Sequence, residues 1–274
     1  MSTHLRSLLM RELDGLRHEP LQKRIRATIG DEAVVDSTRA LVVWEPKRVV
    51  PQYAVPETDV AAEIVPDDAA AGPATSEADA PRLGGRPVYD PSVPFAVHTA
   101  GGEPVTVRHA TGREAHGFRP ADPDLDGYVI LDFDDFDAWY EEDERNVGHP
   151  RDPYHRIDIV HSSRHVRIER DGEVLAESNR PYLLFESWLP VRYYLPREDV
   201  RADLAPSDRH TFCAYKGEAS YWSVGGLGDV AWSYPAPLRE AAEITDRVAF
   251  FDEHVDVIVD GVPLERPVTP WSRR

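Results

Sequence analysis

The feature that most constrains this chain is that it repeats itself. Residues Arg24 to Glu45 lie without a gap over His165 to Glu186, so that Arg26, Glu32, Ser37, Arg39 and Glu45 meet Arg167, Glu173, Ser178, Arg180 and Glu186. After a slip of one residue, Tyr53, Pro56, Asp59, Val60, Ala62 and Pro66 pair with Tyr193, Pro196, Asp199, Val200, Ala202 and Pro206. Self-similarity over such a span predicts two copies of one structural unit, and 274 residues suffice for two cores of ordinary size. The expected layout is an N-terminal segment at 1–19, a first copy at 20–148 and a second at 149–274.

Within each copy the pattern is that of short strands. Val166 and Ile168 alternate with charged residues, Asp171-Gly172 supplies the positive φ angles of a tight turn, and Val174 and Ala176 alternate on the return, which predicts a hairpin. Its counterpart turns at Gly30-Asp31. Ala40 to Trp44 and Tyr182 to Phe185 are almost wholly apolar, as suits strands covered on both faces. Pro56 to Val60 and Pro196 to Val200 read as starts of two-turn helices, because proline is tolerated in the first turn and acidic groups favour the positive helix end. Leu5, Leu8, Leu9, Leu13 and Leu16 recur at helical steps, predicting an amphipathic helix over 3–17 that packs on the first copy or mediates a homodimer. Residues 66–94 contain few large apolar groups and are expected to form a mobile insertion in the first copy. The expected fold is therefore mainly β: two tandem domains of small antiparallel sheets with short helices, plus the N-terminal helix.

Composition removes several classes of function. A formal net charge of −18 works against a nucleic-acid partner, whose phosphates are bound by lysine and arginine. The single cysteine, Cys213, excludes an internal disulfide. No apolar run is long enough to cross a bilayer, and the N-terminus lacks the core of a signal peptide. A soluble cytoplasmic protein with neither nucleic acid nor membrane as partner is expected.

Three blocks carry a family resemblance: Tyr193-Tyr194-Leu195-Pro196, the run from Thr211 to Trp222, and Ala231-Trp232-Ser233-Tyr234. Together they resemble the bacterial family called domain of unknown function 427, and the chain looks like its tandem form. The resemblance implies a β-tent fold in each copy, two small antiparallel sheets meeting at an angle over a cleft. The family also carries a nucleotidyltransferase-type label. Here there is no Gly-Ser followed by a close Asp-x-Asp pair for magnesium and no Walker-type phosphate loop, so nucleotidyl transfer ranks last among the alternatives. Gly225-Gly226-Leu227-Gly228 lacks a following lysine and reads as a turn. Some β-tent domains hold zinc between CxxC pairs, which one cysteine cannot supply.

The candidate chemistry gathers in the second copy. Cys213 and Lys216 lie three apart, and an ammonium nearby favours the thiolate, giving a nucleophile and its activator. The plainer alternative is a buried cysteine, with Lys216 paired to an acid such as Glu186. Tyr221 and Trp222, with Trp232 and Tyr234 at alternate strand positions, either line an aromatic pocket or fill the core. Arg180, Tyr193 and Lys216 add polar groups suited to a carboxylate or phosphate. Between the copies, His149, Asp152, His155 and Asp158 place imidazoles and carboxylates every third residue, as a metal site, a general base or a hydrogen-bonded connector would. No metal or cofactor is assigned. The leading expectation is a protein that binds, or transforms, a small anionic or planar metabolite in the second copy, with a protein-interaction module or homodimeric scaffold as the alternative.

Overall fold

The computed structural model describes residues 2, 8, 10–67, 80–83 and 85–273. The chain divides into two compact units, residues 1–81 with 87–152, and residues 82–86 with 153–274. Among the described residues the fold is mainly β, its helical parts are short, and no helix is long and apolar enough to cross a membrane.

In chain order the first strands are β1 (Arg17–Pro20), β2 (Ile25–Ile29), β3 (Glu32–Ser37), β4 (Leu41–Trp44), β5 (Gln52–Pro56) and β6 (Glu63–Pro66). A two-stranded ribbon, β7 (Arg82–Leu83) and β8 (Arg86–Pro87), precedes β9 (Gly102–Arg108), β10 (Glu114–Pro120), β11 (Tyr128–Leu131), β12 (Ala138–Glu141) and β13 (Glu144–Asn146). The first unit has a larger sheet in the order β1-β4-β5-β11-β10-β9-β6 and a smaller one in the order β13-β12-β2-β3.

The second unit comprises β14 (Ile157–His161), β15 (Val166–Arg170), β16 (Glu173–Ser178), β17 (Tyr182–Glu186), β18 (Arg192–Tyr194), β19 (Ala205–Cys213), β20 (Gly217–Val224), β21 (Leu227–Ser233), β22 (Val248–Phe250), β23 (Asp256–Val259) and β24 (Val262–Pro263). Its sheets run β14-β17-β18, β22-β21-β20-β19 and β24-β23-β15-β16, and an antiparallel bridge from Leu195 to Val248 links the first two. Across that bridge, the strand order is the same as in the first unit.

Local details recur as well. Both hairpins slip register at one place, after Ala27 and after Ile168. Asp171 (φ 50°) and Gly172 (φ 83°) form the predicted turn; glycine tolerates that conformation without a Cβ clash. In each unit a serine hydroxyl donates to an aspartate that also receives an arginine: Ser37 and Arg39 hold Asp59, while Ser178 and Arg180 hold Asp199.

The main core of each unit draws on both of its sheets. Ile25, Ala27 and Val35 meet Val42, Tyr53, Val129 and Leu131 in the first; Val166, Ile168 and Ala176 meet Leu183, Leu195, Val248 and Phe250 in the second. The opposite face of the larger sheet is also covered, by a cluster around Val43, Phe118 and Ile130 in one unit and around Tyr194, Trp232 and Phe251 in the other. This two-sided burial explains the unbroken apolar run of β4; in β17 it covers Leu183 and Leu184 on opposite faces, while Phe185 is exposed.

Three expectations change. Pro56 and Pro196 start no two-turn helix: each precedes a single 3-10 turn, Glu57–Asp59 or Arg197–Asp199, after which Val60 bridges Val35 and Val200 bridges Ala176. The adjoining strand captures the β-branched valine before a second turn can form. Of the proposed helix over 3–17, residues 3–7 and 9 lie outside the described residues; Leu8, Met10 and Arg11 are helical as expected, but a 3-10 turn, Glu12–Asp14, follows and Arg17 already begins β1. Residues 68–79 and 84 of the expected insertion are likewise outside. Its C-terminal part is anchored: Ala80, Tyr89 and Val93 form a buried cluster with Val97 just beyond it, and the buried Arg48 guanidinium donates to the carbonyls of Val93, Pro94 and Val97.

Candidate functional site

The predicted site residues separate into three places. Tyr221, Trp232 and Tyr234 share one face of the β19–β22 sheet and pack with Tyr194 and Phe251. Trp232 donates its indole N–H to the Tyr194 hydroxyl at 3.0 Å, and the Tyr221 hydroxyl lies 2.9 Å from Thr211 Oγ1. Cys213, at the end of β19, is partly exposed. Trp222 points to the other face, against the main core, where Tyr193 also lies. Arg180 stands apart on the surface in its clasp with Asp199 and Glu198, a role that Arg39 repeats in the first unit. The predicted groups therefore do not line one cleft, because neighbours along a strand face opposite ways.

Lys216 donates to Glu186 at 2.5 Å, and His155 contacts the other oxygen of that carboxylate at 3.1 Å while stacking on Tyr215. Burial alone would raise the Glu186 carboxyl, but the Lys216 ammonium and His155 hold it down at about 2. Burial likewise works against the Lys216 charge, and Cys213 and Glu186 outweigh it, keeping the ammonium protonated. The remaining members of the histidine-carboxylate run disperse. His149 donates to the carbonyl of Pro150, and Asp158 is an exposed β14 residue beside Arg156. Among the described residues no three His, Cys, Asp or Glu side chains are grouped to hold a metal ion.

The first unit has its own buried glutamate just past β4. Glu45 accepts from the backbone N–H groups of Thr99 and Ala100, and its other oxygen lies 3.0 Å from His98 Nδ1. His98 Nε2 is 3.2 Å from Asp132, and the ring stacks on Phe118. Burial opposes the imidazolium, yet Asp132 and Glu45 raise His98 to about 9.

A half-open pocket lies elsewhere in the second unit. Its volume of ≈ 180 Å³ is walled by Tyr193, Asp252, Val255 and Val257, with Leu264 and Glu265 contributed by the segment after β24. Tyr193 is 8% exposed, and among the described residues its hydroxyl has no hydrogen-bond partner. Burial raises its pKa, with Asp252 adding to the effect. Beside it, Arg192 forks onto Glu253 at 2.9 and 2.6 Å and approaches Asp252 at 3.5 Å, while Thr269 donates to Glu253. Burial pushes the Asp252 carboxyl up to about 7, against the pull of Arg192 and with the push of Glu253.

Strand register identifies what occupies these positions in the first unit. Tyr53 and Tyr193 pair in the sequence, and Val55 and Leu195, two residues on, face Val129 and Val248. Four residues past those valines stand Phe133 and Asp252. On the smaller sheet, Trp139 faces Ala27 as Val257 faces Ile168, and Glu141 faces Ile25 as Val259 faces Val166. The first unit thus fills the space with rings: Tyr53 to Trp139 at 5.0 Å, Phe136 to Trp139 at 4.9 Å, and Phe133 stacked on Trp139 at 5.6 Å. Tyr53 donates to Glu141 at 2.7 Å and accepts from Asn146 at 2.9 Å. At Tyr193 the acceptor carboxylate is replaced by a valine. Asp252, Val255, Val257 and Glu265 are not visible as site residues in the sequence because the self-similarity fades beyond Pro66 and Pro206, short of the exchanges of Phe133 for Asp252 and Trp139 for Val257.

Residues 158–261, which include all three resemblance blocks, match the model of the family described as domain of unknown function (DUF427). No curated protein matches the chain.

Proposed function

We propose that the DUF427 domain of this chain is a small-molecule-binding module whose ligand sits between Tyr193, Asp252, Val255 and Val257, and that the first unit is a tandem copy of the same β-tent in which that space has been closed. Shared strand order, the common bulge and the repeated serine-arginine-aspartate clasp support the duplication. The observation that carries the binding reading is the Tyr193 hydroxyl: among the described residues it has no protein partner and it opens onto the pocket beside Asp252, so it stands available to hydrogen-bond a ligand there. Cys213 and Lys216 take no part in this reading, because the Lys216 charge is engaged by Glu186. Native mass spectrometry of gently purified protein tests it. A retained small molecule that disappears in Val257→Trp supports the proposal, and retention unchanged in that variant rejects it.

A second reading, an interaction module, draws on Val160 and Phe185, exposed apolar residues on the paired strands β14 and β17. Solution mass separates the two: a homodimer dispersed by Phe185→Glu favours this second reading.

A further inference from the structure

We propose that the pocket of the second unit selects a protonated amine carried on a short apolar body, an inference that rests on the pocket reading above. The argument is one of charge and size. Two carboxylates, Asp252 and Glu265, line the space, and among the described residues no lysine, arginine or histidine does. The neighbouring cation, Arg192, is buried and already shared between Glu253 and Asp252, so that above pH 7, with Asp252 ionised, one positive charge stands against two negative ones before Glu265 is added. Arg192 is further fixed between the rings of Trp232, Phe251 and Trp271, and cannot swing out to receive an anion. Near Tyr193, Arg164 is bound by Asp260 at 2.7 Å.

An anionic ligand would therefore meet uncompensated carboxylates. A neutral alcohol would satisfy Tyr193 and leave the negative charge unmatched. An ammonium answers both: it donates to Asp252 and to the tyrosine oxygen, and charge-assisted bonds of this kind are the stronger class. Val191, Val255, Val257 and Leu264 supply the apolar wall for the rest of the ligand. The volume of ≈ 180 Å³ holds roughly six groups of water size, which sets the scale at a short aliphatic or small cyclic amine. Glu265 and Leu264 are exposed residues, so the mouth of the pocket lies on their side.

Isothermal titration calorimetry of the intact chain with n-butylamine, n-butanol and butyrate tests this at slightly alkaline pH, where Asp252 is charged and the amine still protonated. The expected order is butylamine tighter than butanol by about ten-fold, with no binding of butyrate. Asp252→Asn should remove most of that preference, and Val257→Trp should abolish binding of every probe. Val255→Phe narrows the same space and replaces V257W if that variant fails to fold. Butyrate binding as tightly as butylamine, equal binding of amine and alcohol, or no binding of butylamine overturns the amine inference. Loss of butanol binding in V257W would then leave the pocket reading standing, whereas probe binding that survives both filling variants overturns that reading as well.

Discussion

The space between the two sheets is closed in the first unit by Phe133, Phe136 and Trp139 and left open in the second by Asp252, Val255 and Val257, although strand order and hairpin geometry are alike. The difference shows that this scaffold does not need the space to be empty in order to fold. An apolar ring fills it well where Tyr53 has Glu141 and Asn146 for partners. Where the filling is withdrawn, a hydroxyl and a carboxylate face the gap, and the cavity has a polar character that packing alone does not call for.

The two glutamates make the same point in electrostatic terms. Glu186 is held by a lysine and a histidine, whereas Glu45 shares a histidine with Asp132. Each buried carboxylate is matched, as burial of charge demands, but by different residues.

The largest break in the comparison should come from emptying the filled space. Trp139→Ala removes a fully buried, stacked ring and should cost about 3–5 kcal/mol in denaturant unfolding, while Val257→Ala, a smaller truncation at a buried position that also borders the pocket, should cost less, about 1–3 kcal/mol. Similar losses at the two positions would mean that the second space is as tightly filled as the first.

Next in size is pH dependence. The folded pKa of His98 is raised to about 9, so its contribution is complete below the ordinary histidine range and is lost as pH rises from 6.5 through 9. The loss should approach about 3 kcal/mol and disappear in His98→Gln. Glu186 behaves in the opposite sense: its folded pKa is lowered to about 2, so its contribution is present above 4.5 and is lost as pH falls toward 2. Melting curves across pH, with H98Q and Glu186→Gln as controls, check both signs.

A smaller contrast concerns the paired tyrosines. Tyr53→Phe leaves Asn146 and a Glu141 oxygen short of a partner and should cost about 1–3 kcal/mol, whereas Tyr193→Phe deletes a hydroxyl that has none and should stay within about 0.5 kcal/mol. Equal costs would show that the Tyr193 hydroxyl is satisfied within the protein.

The two matching hairpins, the doubly covered strand β4 and the mainly β character were legible in the sequence, because alternation, apolar runs and Asp-Gly turns act locally. The same holds for the Lys216–Glu186 pair, one of the two roles open to that lysine. The pocket was not legible. Its walls come from β18, β23 and the segments around Asp252 and Leu264, which meet only through sheet pairing. Arg180 misled for a related reason: an arginine beside aromatic strands suggests an anion site, yet its partners Asp199 and Glu198 arrive from the following 3-10 turn. Trp222 and Tyr221 are sequence neighbours that strand geometry sends to opposite faces.

The claim that the second unit keeps open what the first has closed is tested most directly by the stability of Val257→Trp. The pocket predicts that an indole is accepted there, with cooperative unfolding and a change of no more than about 1 kcal/mol from the parent protein. A loss of the roughly 1–3 kcal/mol typical of overpacking a filled core, or more, would contradict it.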